Sequence, residues 1–505
     1  AIDAGECLRE PAYGVFRVTA ESTILAAICL PLAGALAIAL AGRVSPNVRE
    51  SVTLITAGAL ACLVWSLLPT LMSGGRPGVA VSEVMPGLTI AFKVEPLGML
   101  FSALASGLWI VNSIYSIGYM RGNREKNQTR FYVCFALALS AAMGVAFAGN
   151  LFTLFLFYEL LTLSTYPLVS HKGDPATVRS ARVYLGVLLA TSIGLFLPAI
   201  IWTYAAAGTG DFTPGGILAG KLNDPQVGLL LGLFVFGIGK AAVMPVHRWL
   251  PAAMVAPTPV SALLHAVAVV KAGVFTITKV IVYVFGIDFL FDSDSSGWLF
   301  YVAAFTIVAA SVVALRQTNI KRLLAYSTIA QLSYVVMAAA ILKPLAEVGA
   351  AIHMVAHAFG KITLFFAAGA IYVASKKTEI NQLKGIGRRM PWTMGAFTVG
   401  ALSMIGVPPT AGFVSKWYIL AGAFQAENYV ALFTIIASTV LNAAYFLPIL
   451  YMAWFAREES GAKEHGEAPF AAVLALVITA GLTLAFFLFN GPVIELESQV
   501  VRGLN

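Results

Sequence analysis

Long apolar runs, separated by short charged or Pro/Gly-rich breaks, fill the chain from Ser22 onward. A helix needs about 20 predominantly apolar residues to cross a bilayer. Divided at its breaks, the chain predicts fourteen such segments: 22–42, 51–72, 97–119, 129–148, 151–170, 181–206, 226–250, 258–285, 297–316, 322–343, 346–374, 392–423, 429–455 and 469–490. The seventh and twelfth carry prolines inside the run, Pro245 and the pair Pro408-Pro409. Proline lacks the amide that an interior helical turn needs, so both segments are expected to break at mid-membrane. The pattern predicts an all-α integral membrane fold with about 14 transmembrane helices.

Segments four to eight (129–285) and nine to thirteen (297–455) make two blocks of five, each with its broken segment fourth and a lysine beside the break, Lys240 and Lys416. Tandem blocks with an odd number of spans enter the membrane from opposite sides, so inverted repeats are expected; chance likeness between apolar segments is the alternative. The flanking regions are an N-terminal tail with three segments (1–128) and the last segment with a C-terminal tail (456–505).

Of the 505 residues, 59% are apolar and only 11% charged. Soluble domains carry about 25% charge, so this composition excludes one. The net charge of +8 does not point to nucleic acid, because the basic residues are scattered through short loops. Nineteen of them follow odd-numbered segments and four follow even-numbered ones. The positive-inside rule then places the odd loops in the cytoplasm and both termini on the outer, periplasmic side of the cell's inner (plasma) membrane. The run at 22–41 is read as a retained helix, not a signal peptide. Four widely spaced cysteines form no CxxC pair, so no metal or cofactor site is expected.

Charged residues inside the apolar runs are Glu159, Lys240, Lys271, Lys279, Lys361 and Lys416, joined by His265, His353 and His357. Each central charge costs about 2.5–3.5 kcal/mol on insertion scales, so such groups pair inside the bundle or mark an ion path. Glu159 needs a cation, and Lys240, just before Pro245, is the obvious partner; a static ion pair that fixes helix register is the competing reading. Lys271 and His265, six residues apart, point roughly 120° apart, so Lys271 is assigned to the interior path and His265 is left between relay member and packing histidine. Lys279, nearer the helix end, is expected to snorkel to the interface. His353, His357 and Lys361, at i, i+4 and i+8, form a column on one helical face. A proton relay is the sharp reading, because neutral imidazole both accepts and donates. A hydrogen-bonded core and axial haem ligation are its rivals, and haem lacks a second histidine on a facing helix, since His171 and His247 lie near helix ends. Lys416 follows the Pro408-Pro409 break, which frees the carbonyls of Met404 and Ile405.

YSIGYM (115–120) with RFY (130–132), FGIGKAAVMPVHRWLPAAMVAPTPVSALLHA (236–266), HMVAHAFGKITLFFAAG (353–369) and GVPPTAGFVSK (406–416) resemble the signature shared by the antiporter-like subunits of respiratory complex I and of Mrp cation/proton antiporters. Lys416 and the short stretch after segment fourteen look most like the D-type Mrp subunit. The resemblance implies two inverted half-channels joined by a polar axis. Glu159 and Lys240 would be its coupled pair and Lys271 its central lysine; His353, His357 and Lys361 would continue it to Lys416 at the exit. It further implies a proton-translocating subunit of a multi-subunit Na+ or K+/proton antiporter, with other membrane subunits as partners. The alternative is the proton-pumping subunit of a redox-driven complex of NADH-quinone oxidoreductase or membrane-bound hydrogenase type, whose redox cofactors sit on other chains.

Overall fold

The computed structural model describes residues 19–458 and 464–502, and of His265, Val501 and Arg502 the backbone alone. Residues 1–18, 459–463 in the loop before the last spanning helix, with Lys463, and 503–505 lie outside the described residues.

Each predicted segment is helical in whole or in part. Eleven helices among the described residues are long and apolar enough to cross a membrane. They are α1 (Ala20–Ala41), α2 (Pro46–Met72), α3 (Pro96–Gly122), α4 (Gln128–Phe147), α5 (Leu151–Val169), α6 (Pro175–Ala207), α9 (Trp298–Leu315), α10 (Ile320–Ala340), α11 (Pro344–Ser375), α14 (Tyr429–Phe455) and α15 (Phe470–Leu488). The other three predicted segments are interrupted. The seventh is α7 (Asp224–Gly237) followed by irregular chain with one 3₁₀ turn, Gly239–Ala241. The eighth, expected to be continuous, enters through Thr258–Ala262 and a π-turn at Leu263–Val267 before α8 (Val269–Val280), and a second π-turn follows at Ile281–Phe285. The twelfth is split into α12 (Pro391–Ile405) and α13 (Ala411–Gln425). Two features were not expected: a hairpin of β1 (Gly78–Met85) and β2 (Leu88–Lys93), and a last helix α16 (Gly491–Arg502).

Local chemistry sets these ends. Asn223 caps α7, its side chain accepting from the Gln226 amide in a capping box with Pro225 in the first turn. Asn150 caps α5, its side chain accepting from the Thr153 amide. Gly406, at φ 91, ends α12: the amides of Gly406 and Val407 both donate to the Leu402 carbonyl, at 2.8 and 3.0 Å. The prolines do not themselves start the first break. α7 stops at Gly237, eight residues before Pro245, and the stretch between is irregular. Its freed backbone is satisfied from outside, with the Met244 amide donating to Thr306 Oγ1 of α9 and the Trp249 indole donating to the Gly239 carbonyl.

α10 and α11 are the most enclosed spans, with α12 and α13 packed on α11. α8 lies against the break after α7 because Gly273 has no side chain; a Cβ there would stand 2.2 Å from the Ala241 nitrogen. That contact brings the helix carrying Lys271 against the loop carrying Lys240.

Candidate functional site

Buried lysines, one after another through the two halves, make the site. Lys240 and Lys361 are fully buried, and Lys271 and Lys416 are almost so. Among the described residues none of the four makes a salt bridge. Each ammonium is held by neutral groups instead.

Lys240 Nζ donates to the Tyr158 carbonyl at 2.8 Å and to Thr162 Oγ1 at 2.6 Å, and it lies 3.1 Å from the centroid of the Tyr158 ring. The Lys240 amide donates to the Tyr158 hydroxyl. The contact expected with Glu159 is therefore not made: both Glu159 carboxylate oxygens are enclosed and without a hydrogen-bond partner. The reason is azimuth on α5. Tyr158 and Thr162, four residues apart, share the face toward Lys240, and Glu159 is turned roughly 100° from it. Tyr158 and Thr162 were not singled out by the sequence, although an aromatic and a threonine at i, i+4 beside an intramembrane glutamate are a legible signal.

Lys271 Nζ lies 2.8 Å from His357 Nδ1, joining α8 of the first half to α11 of the second. The side chain of His265 lies outside the described residues. His353 Nδ1 sits 2.9 Å from Ser415 Oγ, which is also 3.1 Å from the Gly412 carbonyl. Tyr334 stacks on His353 at 5.3 Å, and the His353 and His357 centroids are 6.2 Å apart. Lys416, next to Ser415, donates to the carbonyls of Met404 (3.1 Å) and Ile405 (2.8 Å), the pair that the proline break singles out, and to Thr439 Oγ1 (3.2 Å).

The histidine column does not simply run on into Lys361. That ammonium turns to Ser327 Oγ of α10 at 2.6 Å and to the Leu324 carbonyl at 3.4 Å. Two branches thus leave α11 for the second break. Lys279 departs further from expectation: it is fully buried, pairs with Glu95 at 3.1 Å and donates to the Ala148 carbonyl at 2.7 Å. A buried carboxylate at the start of α3 holds it inside, which removes any drive to snorkel.

A family model described as "NADH:quinone oxidoreductase/Mrp antiporter, TM" matches residues 148–442. NADH-quinone oxidoreductase subunit N of Desulforudis audaxviator is 34% identical over 449 residues, 86% of this chain and 87% of that one. The A/B subunit of a probable K(+)/H(+) antiporter of Rhizobium meliloti is 32% identical over 81% of this chain and 40% of its own length. Among solved structures, chains of an archaeal membrane-bound sulfane sulfur reductase and of the Mrp complex from Dietzia sp. DQ12-45-1b superpose with TM-scores of 0.83 and 0.80 at 24% and 21% identity, each over 95% of this chain and 97% of the other.

Proposed function

The chain belongs to the NADH:quinone oxidoreductase/Mrp antiporter transmembrane family, and from that premise we propose that it is a proton-translocating subunit of a multi-subunit membrane complex, moving protons along Lys240, Lys271, His357, His353 and Lys416. The single observation that carries this reading is the 2.8 Å contact of Lys271 Nζ with His357 Nδ1, buried at the junction of the halves. Ammonium and imidazole both gain and lose protons, so a proton given by Lys271 to Nδ1 leaves a neutral amine and an imidazolium. The imidazolium passes the proton on from Nε2 through a bridging water, since the ring separation exceeds one hydrogen bond. Lysines held by carbonyls and hydroxyls, without a carboxylate, are positioned without being locked into a charged pair.

Two drivers fit this axis. In a cation/proton antiporter, protons move in exchange for Na+ or K+, a role the match to the K(+)/H(+) antiporter protein supports. The nearly full-length match to an NADH-quinone oxidoreductase subunit favours a second driver, a redox enzyme on neighbouring chains. Flavin or iron–sulfur absorbance in the purified complex would select the redox driver.

The proposal is tested at Lys416. If its ammonium must lose a proton in each cycle, Lys416→Arg should fail almost as badly as Lys416→Ala, because guanidinium keeps the charge but is effectively never deprotonated. The readout is energised pH change in vesicles that hold the complete complex, with assembly checked on native gels. Robust transport by the arginine variant beside a dead, assembled alanine variant would leave Lys416 as a fixed charge.

A further inference from the structure

A hydrogen-bonded chain that the histidine column does not use runs from Lys361 to Lys416. Lys361 Nζ donates to Ser327 Oγ (2.6 Å), the Tyr445 hydroxyl lies 2.9 Å from Ser327 Oγ and also against Asn442 Oδ1, and Asn442 Nδ2 donates to the Met404 carbonyl at 3.3 Å. That carbonyl is the one Lys416 uses at 3.1 Å. Ser327 and Asn442 are fully buried and Tyr445 nearly so. Three helices supply the links, Ser327 from α10, Lys361 from α11 and Tyr445 with Asn442 from α14.

Donor and acceptor arithmetic makes the middle of this chain two-state. Tyr445 has one hydroxyl proton and two acceptors within reach, Ser327 Oγ and Asn442 Oδ1, so it serves one at a time. When Lys361 is an ammonium, it can only donate. Ser327 then turns its proton to the Tyr445 oxygen, and Tyr445 donates to Asn442. When Lys361 is a neutral amine, it accepts from Ser327, Tyr445 turns its proton to Ser327, and the buried Asn442 carbonyl loses its donor. An amide side chain does not relay protons, so no proton passes through Asn442; what passes is the orientation of hydroxyl groups.

We propose that Tyr445 and Asn442 are positioning residues that couple the protonation of Lys361 to proton release from Lys416. With Lys361 charged, Asn442 is held by Tyr445 and shares the Met404 carbonyl with Lys416, which loosens the hold on that ammonium. With Lys361 neutral, Asn442 turns away and Lys416 has the carbonyl to itself. Arrival of a proton at Lys361 thus favours departure of one from Lys416.

The coupling rests on the functional reading above, and its test separates the two. In vesicles with the complete complex, Tyr445→Phe keeps the ring and removes the hydroxyl, while Asn442→Leu keeps the volume and removes the amide. Each should lower energised proton flux roughly tenfold, the scale of one lost hydrogen bond in a charged network. The double variant should be no slower than the slower single, because both break one link; unrelated packing defects would multiply. Ser327→Ala breaks the same link from α10 and should match Tyr445→Phe. Native gels identify assembled complexes, and Lys416→Ala is measured in the same membranes. Near wild-type flux in Tyr445→Phe beside a dead Lys416→Ala, or multiplied losses in the double variant, would overturn the coupling and leave the axis intact. Full flux in Lys416→Ala would overturn the axis itself.

Discussion

An ammonium held by a backbone carbonyl and a hydroxyl is positioned without being neutralised, and that is the state of Lys240 between the Tyr158 carbonyl and Thr162. Glu159, one residue from that carbonyl, has two enclosed carboxylate oxygens with no hydrogen-bond partner. An enclosed carboxylate without a hydrogen-bond partner costs free energy as an ion, and Lys240 is the cation on which its charge acts across the gap. In the complete complex Glu159→Gln should assemble normally and lose at least about tenfold in proton flux, about 1.4 kcal/mol or more of barrier, read as energised pH change in vesicles; near-normal flux would make Glu159 structural. The identities of the axis residues were legible because charge inside an apolar run is costly wherever it points. Their partners were less so. One residue of helical rotation separates Glu159 from the Lys240 contact, and Glu95, which holds Lys279, lies 184 residues earlier in the chain. Nothing local encodes that pairing.

The apolar pattern located every span, but prolines marked the breaks without marking where each helix ends. Gly237 and Gly406 do that. The π-turns around α8 leave no periodicity signal, and α16 was invisible because its residues are mixed in polarity. α16 is twelve residues long, too short to cross a bilayer, and it packs on α3 and α11 with Glu497 buried on its inner side. Burial pushes the Glu497 carboxyl up from 4.5 to about 8. The docked helix therefore binds this proton more tightly than the undocked one, so docking is strongest below pH 4.5, weakens as pH rises toward about 8, and levels off above it. The protection of the 491–502 amides, their exchange taken relative to the base-catalysed intrinsic rate, should fall across that window, and Glu497→Gln should abolish the fall. Unchanged protection across the window in the native chain would contradict it.

For the whole molecule, the two broken segments, each with a buried lysine at its break, support two inverted halves meeting where Lys271 touches His357. The bias of basic residues toward odd-numbered loops supports an orientation with both termini outside. Asn381, exposed in the loop after α11, then faces the cytoplasm, and Asn381→Cys should be labelled by impermeant reagents only in inside-out vesicles; labelling in intact cells would reverse the orientation. If protons cross from one half to the other through the Lys271–His357 contact, as proposed, then proton flux through the assembled complex depends on Lys271, and Lys271→Met removes that step. Methionine keeps an unbranched, buried side chain and cannot carry a proton. The expected result is loss of energised pH change with assembly intact, whereas sustained flux would show that protons do not pass this junction.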